Sequence, residues 1–174
     1  MEPGGRLSTN QFNVGITEIR VVKGPTLLEC HGVGSCIAVF AYDATKNLSG
    51  VAHIVLPKRL PSSTEARPGL FVDTAVEALL NELLEAGASL EDLKWAYVGA
   101  AEFLKLANGA VLPALEVGRR NAEAMDAELD RLGIQVLAKD IGGTIGRDIS
   151  FCTADAELKV RTVHEGEKTL CSLQ

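Results

Sequence analysis

Two apolar runs separated by a turn constrain the fold of this chain more than any other feature. The runs cover residues 37–42 and 51–56, and both are rich in the β-branched and aromatic side chains that favour strands. The segment between them, DATKNLSG, contains the Asp, Asn, Ser and Gly typical of turns. The pattern therefore predicts a β-hairpin.

Two other segments have the spacing of amphipathic helices. From Val72, apolar residues recur at intervals of three and four until Gly87, which is a typical helix end. A second helix is predicted from Gly118 to Leu132, with Gly133 as its end signal. Strands are predicted near and between these helices, at residues 94–100, 134–138, 149–152 and 158–163.

The order of these elements does not follow the strict strand and helix alternation of a doubly wound fold. We therefore expect an α/β sandwich of the α+β type, with helices packed on a mixed, largely antiparallel sheet. A length of 174 residues and 47% hydrophobic content suit one compact domain. We expect that domain at residues 12–164, between a flexible N-terminal tail, 1–11, and a polar C-terminal tail, 165–174.

The charge of the chain limits its partners. A net charge of -6, with no run of lysines or arginines, argues against binding to nucleic acid or to an anionic membrane surface. The N-terminal residues lack a secretion signal and no stretch of about 18 apolar residues is present, so we expect a cytoplasmic protein without membrane insertion. Its four cysteines are then expected to be free thiols.

Cys36 and His53 are candidate catalytic residues. A cysteine nucleophile needs a base that removes its proton and access to substrate. If the numbers of paired residues in the hairpin sum to 89, Cys36 lies directly opposite His53 on one face of the sheet. Backbone N–H groups at Ser35 and Cys36, after the turn at Gly34, are then candidates for stabilising an oxyanion.

Two other roles for these residues remain open at this point. Free cysteine is among the most buried residue types, so Cys36 and His53 are also consistent with ordinary core packing. A metal site is the other alternative, although its ligand spacing matches none of the usual short pairs. It would use Cys30, His31, Cys36 and His53.

Two glycine-rich segments do not fit nucleotide-binding motifs. GVGSC lacks the third glycine of a dinucleotide site, and GGTIGR lacks the lysine and hydroxyl residue of a P-loop. In the second segment, Gly142, Gly143 and Gly146 are interpreted as turn residues with positive φ. Arg147, which follows them, is interpreted as a surface charge.

The segment around the candidate pair resembles the chemoreceptor glutamine deamidases of bacterial and archaeal chemotaxis, the CheD family. The resemblance includes Gly-x-Gly-Ser-Cys at residues 32–36 and Ala-His followed by an apolar run that ends in Leu-Pro at residues 52–57. It extends over roughly residues 14–163. The other similar segments are FVDTAVEALLNELLEAGA, VGAAEF, VGRRNAEAMDAELDRLGIQVLAKDIGGTIGR and ISF.

The resemblance implies an α/β sandwich with Cys36 as the nucleophile and His53 as the general base, and it implies no metal or organic cofactor. The implied reaction is the hydrolysis of glutamine side-chain amides to glutamates on the cytoplasmic helices of methyl-accepting chemotaxis receptors. The family also implies a partner, the chemotaxis phosphatase CheC. The alternative function is therefore a catalytically weak or inactive regulatory partner of that phosphatase.

Two positions differ from the family pattern. The family usually has a threonine six residues before the nucleophile, where it orients the histidine, and this chain has Cys30 there. Cys30 is therefore included in the catalytic set only as the positional equivalent of that threonine, because a thiol is a weaker hydrogen-bonding group than a hydroxyl. Ala100 occupies a position where a second glycine is more common.

Overall fold

The computed structural model describes residues 9–102 and 116–174, which form two β-sheets and two α-helices. Strands and helices are numbered in chain order. The outer sheet has the strand order β1 (Asn10–Asn13), β3 (Thr26–Val33), β8 (Arg147–Cys152), β9 (Glu157–Thr162), β10 (Gly166–Ser172). The inner sheet has the order β2 (Ile19–Lys23), β5 (Leu48–Ile54), β4 (Ile37–Asp43), β6 (Lys94–Gly99), β7 (Val136–Ile141). The helices are α1 (Val72–Glu85) and α2 (Val117–Leu132).

The inner sheet is the middle of three layers, because the outer sheet covers one of its faces and the helices cover the other. Every residue of β4 and β5 is buried. In β4, Ile37 and Val39 contact the core against the helices, whereas Ala38 and Phe40 contact the core against the outer sheet. A strand covered on both faces needs apolar side chains at consecutive positions, which explains the first apolar run.

Both helices agree with the predictions from periodicity. Helix α1 buries a stripe against the inner sheet, consisting of Val72, Ala75, Val76, Leu79, Leu80 and Leu83. Helix α2 ends where predicted, at Gly133, whose φ of 69° is readily adopted by glycine. Neither helix in the described ranges is long and apolar enough to cross a bilayer.

The predicted fold class is confirmed. Within the described ranges, six of the eight strand pairs are antiparallel, and the pairs β1–β3 and β6–β7 are parallel. Strand β6 lies inside the inner sheet, as expected of an apolar strand. The two helices pack against this mixed sheet.

The hairpin is present, but its predicted register is wrong by two residues. Ala38, not Cys36, is opposite His53, and the numbers of paired residues sum to 91. The strands extend further toward the turn than predicted, since β4 ends at Asp43 and β5 begins at Leu48. The connection therefore has four residues, and the loop length of a hairpin determines its register.

The chain ends also differ from the predicted tails. Gly166–Ser172, expected to be frayed, forms strand β10 beside β9, and Leu173 after it is fully buried. An edge strand leaves one side open to water, so its polar residues are compatible with strand structure. At the other end, β1 begins at Asn10. Residues 1–8 of the predicted tail, and Phe103 at the end of VGAAEF, lie outside the described residues.

Candidate active site

Cys36 and His53 lie on the face of the inner sheet that packs against the outer sheet. His53 shares this face with Ala38, its partner across the hairpin. Cys36 lies two residues before Ala38 and packs against the same intersheet core. The two-residue change in register therefore keeps both side chains on one face and makes them diagonal neighbours rather than directly opposed ones.

The imidazole of His53 is buried, with 3% of its surface exposed, and its two nitrogens have different environments. Nδ1 lies 3.3 Å from the carbonyl oxygen of Val14. Because a carbonyl oxygen only accepts hydrogen bonds, Nδ1 carries the proton in this contact and Nε2 is the basic nitrogen. Nε2 is buried and has no hydrogen-bond partner among the described residues.

The electrostatics of the pair favour neutral side chains in the resting state. Burial lowers the pKa of His53, and the hydrogen bond with Val14 only partly opposes this effect. Burial also raises the pKa of the Cys36 thiol, although the residue's own backbone N–H acts in the opposite direction. At neutral pH the site therefore contains a thiol and a neutral imidazole. Such a thiol needs a base to remove its proton as it attacks.

The turn that carries Cys36 is held by hydrogen bonds to its carbonyl oxygens. The carbonyl oxygens of Gly34 and Cys36 accept hydrogen bonds of 2.8 Å from the backbone N–H groups of Ala101 and Ala100, respectively. The carbonyl oxygen of Ser35, between them, accepts a bond of 2.8 Å from the side-chain amide of Asn121. In a trans peptide the carbonyl and the following N–H point in opposite directions. The N–H groups of Ser35 and Cys36 therefore point away from the groups that hold the carbonyls.

Two glycines allow close backbone contacts, one with this turn and the other with the segment that holds it. A Cβ atom on Gly99 would lie 2.1 Å from the carbonyl oxygen of Cys36, and one on Gly118 would lie 2.5 Å from that of Ala101. Both positions therefore exclude any side chain. Ala100, between these contacts, has a φ of 57°, which is unfavourable for alanine and explains why a glycine suits this position.

Cys30 is fully buried on β3, and its side chain belongs to the same intersheet core. Burial raises the pKa of its thiol to about 12, and the negative charge of Glu18 acts in the same direction. The thiol is therefore neutral at physiological pH. The hydrogen bond of His53 Nδ1 is with the carbonyl oxygen of Val14 and not with Cys30. Sequence reasoning missed Val14, because a backbone carbonyl carries no residue signature.

The four candidate metal ligands do not converge. His31 is exposed, with Nδ1 3.5 Å from an oxygen of Asp148, whereas the neighbouring Cys30 points into the core. Adjacent residues of a strand point to opposite faces, so these two cannot share one ion. Across residues 9–102 and 116–174, no group of three or more His, Cys, Asp or Glu side chains is arranged to hold a metal.

The interpretation of Arg147 as a surface charge is wrong. Its side chain is only 9% exposed and forms a 2.9 Å ion pair with Asp140. It also donates a 3.0 Å hydrogen bond to the carbonyl oxygen of Gly142 and a longer one to that of Gly99. Of the turn glycines, Gly142 and Gly143 have positive φ as predicted, and Gly146 does not. Arg147 thus ties this turn to the end of β6.

The fold and these residues are compatible with one class of protein. Cysteine-dependent hydrolases pair a thiol with an imidazole, and here a half-buried thiol lies on the same sheet face as a buried imidazole. Comparison with known proteins is more specific. A family described as CheD chemotactic sensory transduction matches residues 55–162. The chain belongs to the CheD family.

Curated relatives agree with this assignment over most of the chain. A protein of Desulfitobacterium hafniense, named a probable chemoreceptor glutamine deamidase CheD, is 38% identical over 93% of this chain and 99% of its own length. Chemoreceptor glutamine deamidases CheD of Halalkalibacterium halodurans and Bacillus subtilis are 37% and 34% identical. The first alignment covers 90% of this chain and 96% of the relative, and the second covers 91% and 95%. The family match begins after Cys36 and His53, whereas these alignments extend over nearly the whole chain.

Proposed function

We propose that this chain is a protein-glutamine deamidase that converts glutamine side chains of methyl-accepting chemotaxis receptors to glutamate. Membership of the CheD family and the names of the relatives support this function. The observation that carries the mechanism is the state of His53, whose Nδ1 contacts Val14 and whose Nε2 is left without a described partner on the face shared with Cys36.

The first half of the proposed reaction forms a covalent intermediate. His53 Nε2 takes the thiol proton as Cys36 Sγ attacks the carboxamide carbon, and the carbonyl oxygen becomes an oxyanion. The N–H groups of Cys36 and Ser35 stabilise that oxyanion. The imidazolium then gives its proton to the amide nitrogen. The C–N bond breaks, ammonia leaves, and a γ-glutamyl thioester remains on Cys36.

The second half regenerates the enzyme with water. Nε2 of His53 removes a proton from a water molecule as its oxygen attacks the thioester carbon. The C–S bond then breaks, and the thiolate of Cys36 recovers a proton from the imidazolium. Amide and water have become carboxylate and ammonium without an oxidant, a metal or an organic cofactor.

Mass spectrometry of a receptor cytoplasmic fragment tests the proposal. The fragment is incubated with the unsubstituted protein, with Cys36→Ala and with Cys152→Ala, a matched control at another partly exposed thiol. We expect conversion of glutamine to glutamate at defined sites with the unsubstituted protein and the control, and none with Cys36→Ala. Activity that survives in folded Cys36→Ala would overturn the cysteine mechanism.

A cytoplasmic location and association with a CheC-type phosphatase are proposed from the resemblance alone. Co-purification of the two chains tests the association, with Cys36→Ala included to separate binding from turnover. A chain that binds the phosphatase and converts no glutamine on several receptor fragments would be a regulatory partner rather than an enzyme.

A further inference from the structure

Asn121 joins the two segments that carry the candidate catalytic pair. It is fully buried near the start of α2. Its side-chain nitrogen donates one hydrogen bond of 2.8 Å to the carbonyl oxygen of Ser35 and another of 2.9 Å to that of Val55. Ser35 directly precedes Cys36, and Val55 lies two residues after His53. One amide group therefore links the nucleophile turn to the strand that carries the base.

The orientation of this amide follows from its neighbours. Both contacted atoms are carbonyl oxygens, which only accept hydrogen bonds, so the amide nitrogen must face them. Its oxygen, Oδ1, is buried and has no hydrogen-bond partner among the described residues. The side chain therefore uses both of its N–H donors on these two backbone carbonyls.

The bond to Ser35 has a direct consequence for the reacting groups. Fixing the Ser35 carbonyl fixes the peptide plane, so the N–H of Cys36 is held pointing in the opposite direction. That N–H lies near Sγ, where it partly opposes the rise that burial causes in the pKa of Cys36. In the proposed reaction the same N–H can donate a hydrogen bond to the carbonyl oxygen of the glutamine side chain that Sγ attacks.

We propose that Asn121 is a positioning residue for the deamidation: it holds the Ser35–Cys36 peptide so that the Cys36 N–H meets the developing oxyanion. This inference rests on the proposed function. Asn121 does not touch the substrate, and it acts through the turn. Because the oxyanion forms only as the amide is attacked, loss of this amide is expected to reduce kcat with little change in KM.

Two reactions of Cys36 separate positioning from general support of the fold. Amide hydrolysis needs an oxyanion donor, whereas alkylation of the thiol by iodoacetamide does not. In Asn121→Ala we expect kcat to fall about 10- to 100-fold with KM changed less than about threefold. Alkylation of Cys36 depends on this N–H only through the fraction of thiolate, so its rate, followed by peptide mass spectrometry, is expected to fall less than about threefold. The control is Leu129→Ala, which removes a buried side chain from the same helix away from the turn and keeps kcat within about threefold.

The outcomes are distinguishable. A folded Asn121→Ala protein with unchanged kcat would overturn the positioning role, and so would parallel losses in hydrolysis and alkylation. If thermal unfolding shows that Asn121→Ala does not fold, the same measurements are made with Asn121→Ser, whose shorter hydroxyl cannot reproduce both bonds. Failure of the unsubstituted protein to convert glutamine would overturn the proposed function itself, and the inference with it.

Discussion

Gly99 lies so close to Cys36 that a Cβ atom at position 99 would be 2.1 Å from the Cys36 carbonyl oxygen. Its φ of +133° is also unfavourable for any other residue. We therefore expect Gly99→Ala to lower the free energy of unfolding by about 3 kcal/mol or more, through strain and steric overlap together. Urea unfolding measures this change.

Gly87→Ala is the matched control for that substitution. Gly87 also has a positive φ, +103°, but a Cβ atom there would meet nothing within 4 Å. Its cost is conformational, about 1–2 kcal/mol, and the deamidase activity is expected to remain. Equal losses of stability in the two variants would show that the approach of Gly99 to Cys36 is not a packing constraint.

Stability is expected to depend on pH through His53. Burial holds the pKa of the folded imidazole below its ordinary value, so below about pH 6.5 the unfolded chain binds a proton that the folded protein does not. The protein therefore loses stability as the pH falls from about 6.5 toward the folded pKa. The contribution of this single group is at most about 1.4 kcal/mol per pH unit.

Urea unfolding of the unsubstituted protein and of His53→Gln at pH 7.5 and 5.5 measures this contribution. The variant lacks the titrating ring, so the fall in stability between the two pH values should be smaller in it. An equal fall in both proteins would mean that His53 is not the group responsible.

The role of Cys30 is tested by substitutions that separate shape from hydrogen bonding. Since Nδ1 of His53 contacts the carbonyl of Val14, we expect Cys30→Ala to retain at least about a tenth of the deamidation rate, in contrast to Cys36→Ala. Cys30→Thr and Cys30→Val have nearly the same shape and differ in one hydroxyl. If Cys30→Thr deamidates much faster than Cys30→Val, a hydroxyl at position 30 orients the imidazole.

Arg147 is expected to contribute to the stability of the fold. Arg147→Ala would remove the 2.9 Å ion pair with Asp140, which keeps only Lys168 at 3.6 Å, and would remove the donor to the Gly142 carbonyl, at a cost of about 2–3 kcal/mol. The control is Arg161→Ala, which breaks a 3.1 Å ion pair with Asp148 but at an exposed side chain, and it should cost less than about 1 kcal/mol. Equal unfolding midpoints in the two variants would contradict the structural role.

Local sequence patterns were sufficient to predict both helices and the presence of the hairpin. Helix α1 depends on the three- and four-residue spacing from Val72, and α2 ends at Gly133 because glycine readily adopts its left-handed φ. These features depend on residues close in the chain, so the sequence by itself determined them. The candidates Cys36 and His53 were also recognisable, because thiol and imidazole are distinctive chemical groups.

Only the tertiary structure decided how the site is built. The hairpin register places His53 opposite Ala38, the Val14 carbonyl contacts its imidazole, and Asn121 reaches the turn across 86 positions of the chain. Arg147 and the last strand, β10, likewise depend on what the folded chain places beside them. Backbone carbonyls are the same in every residue, and contacts between distant segments leave no local period. For that physical reason the candidate reactive groups could be predicted from the sequence, whereas the groups that contact and hold them required the fold.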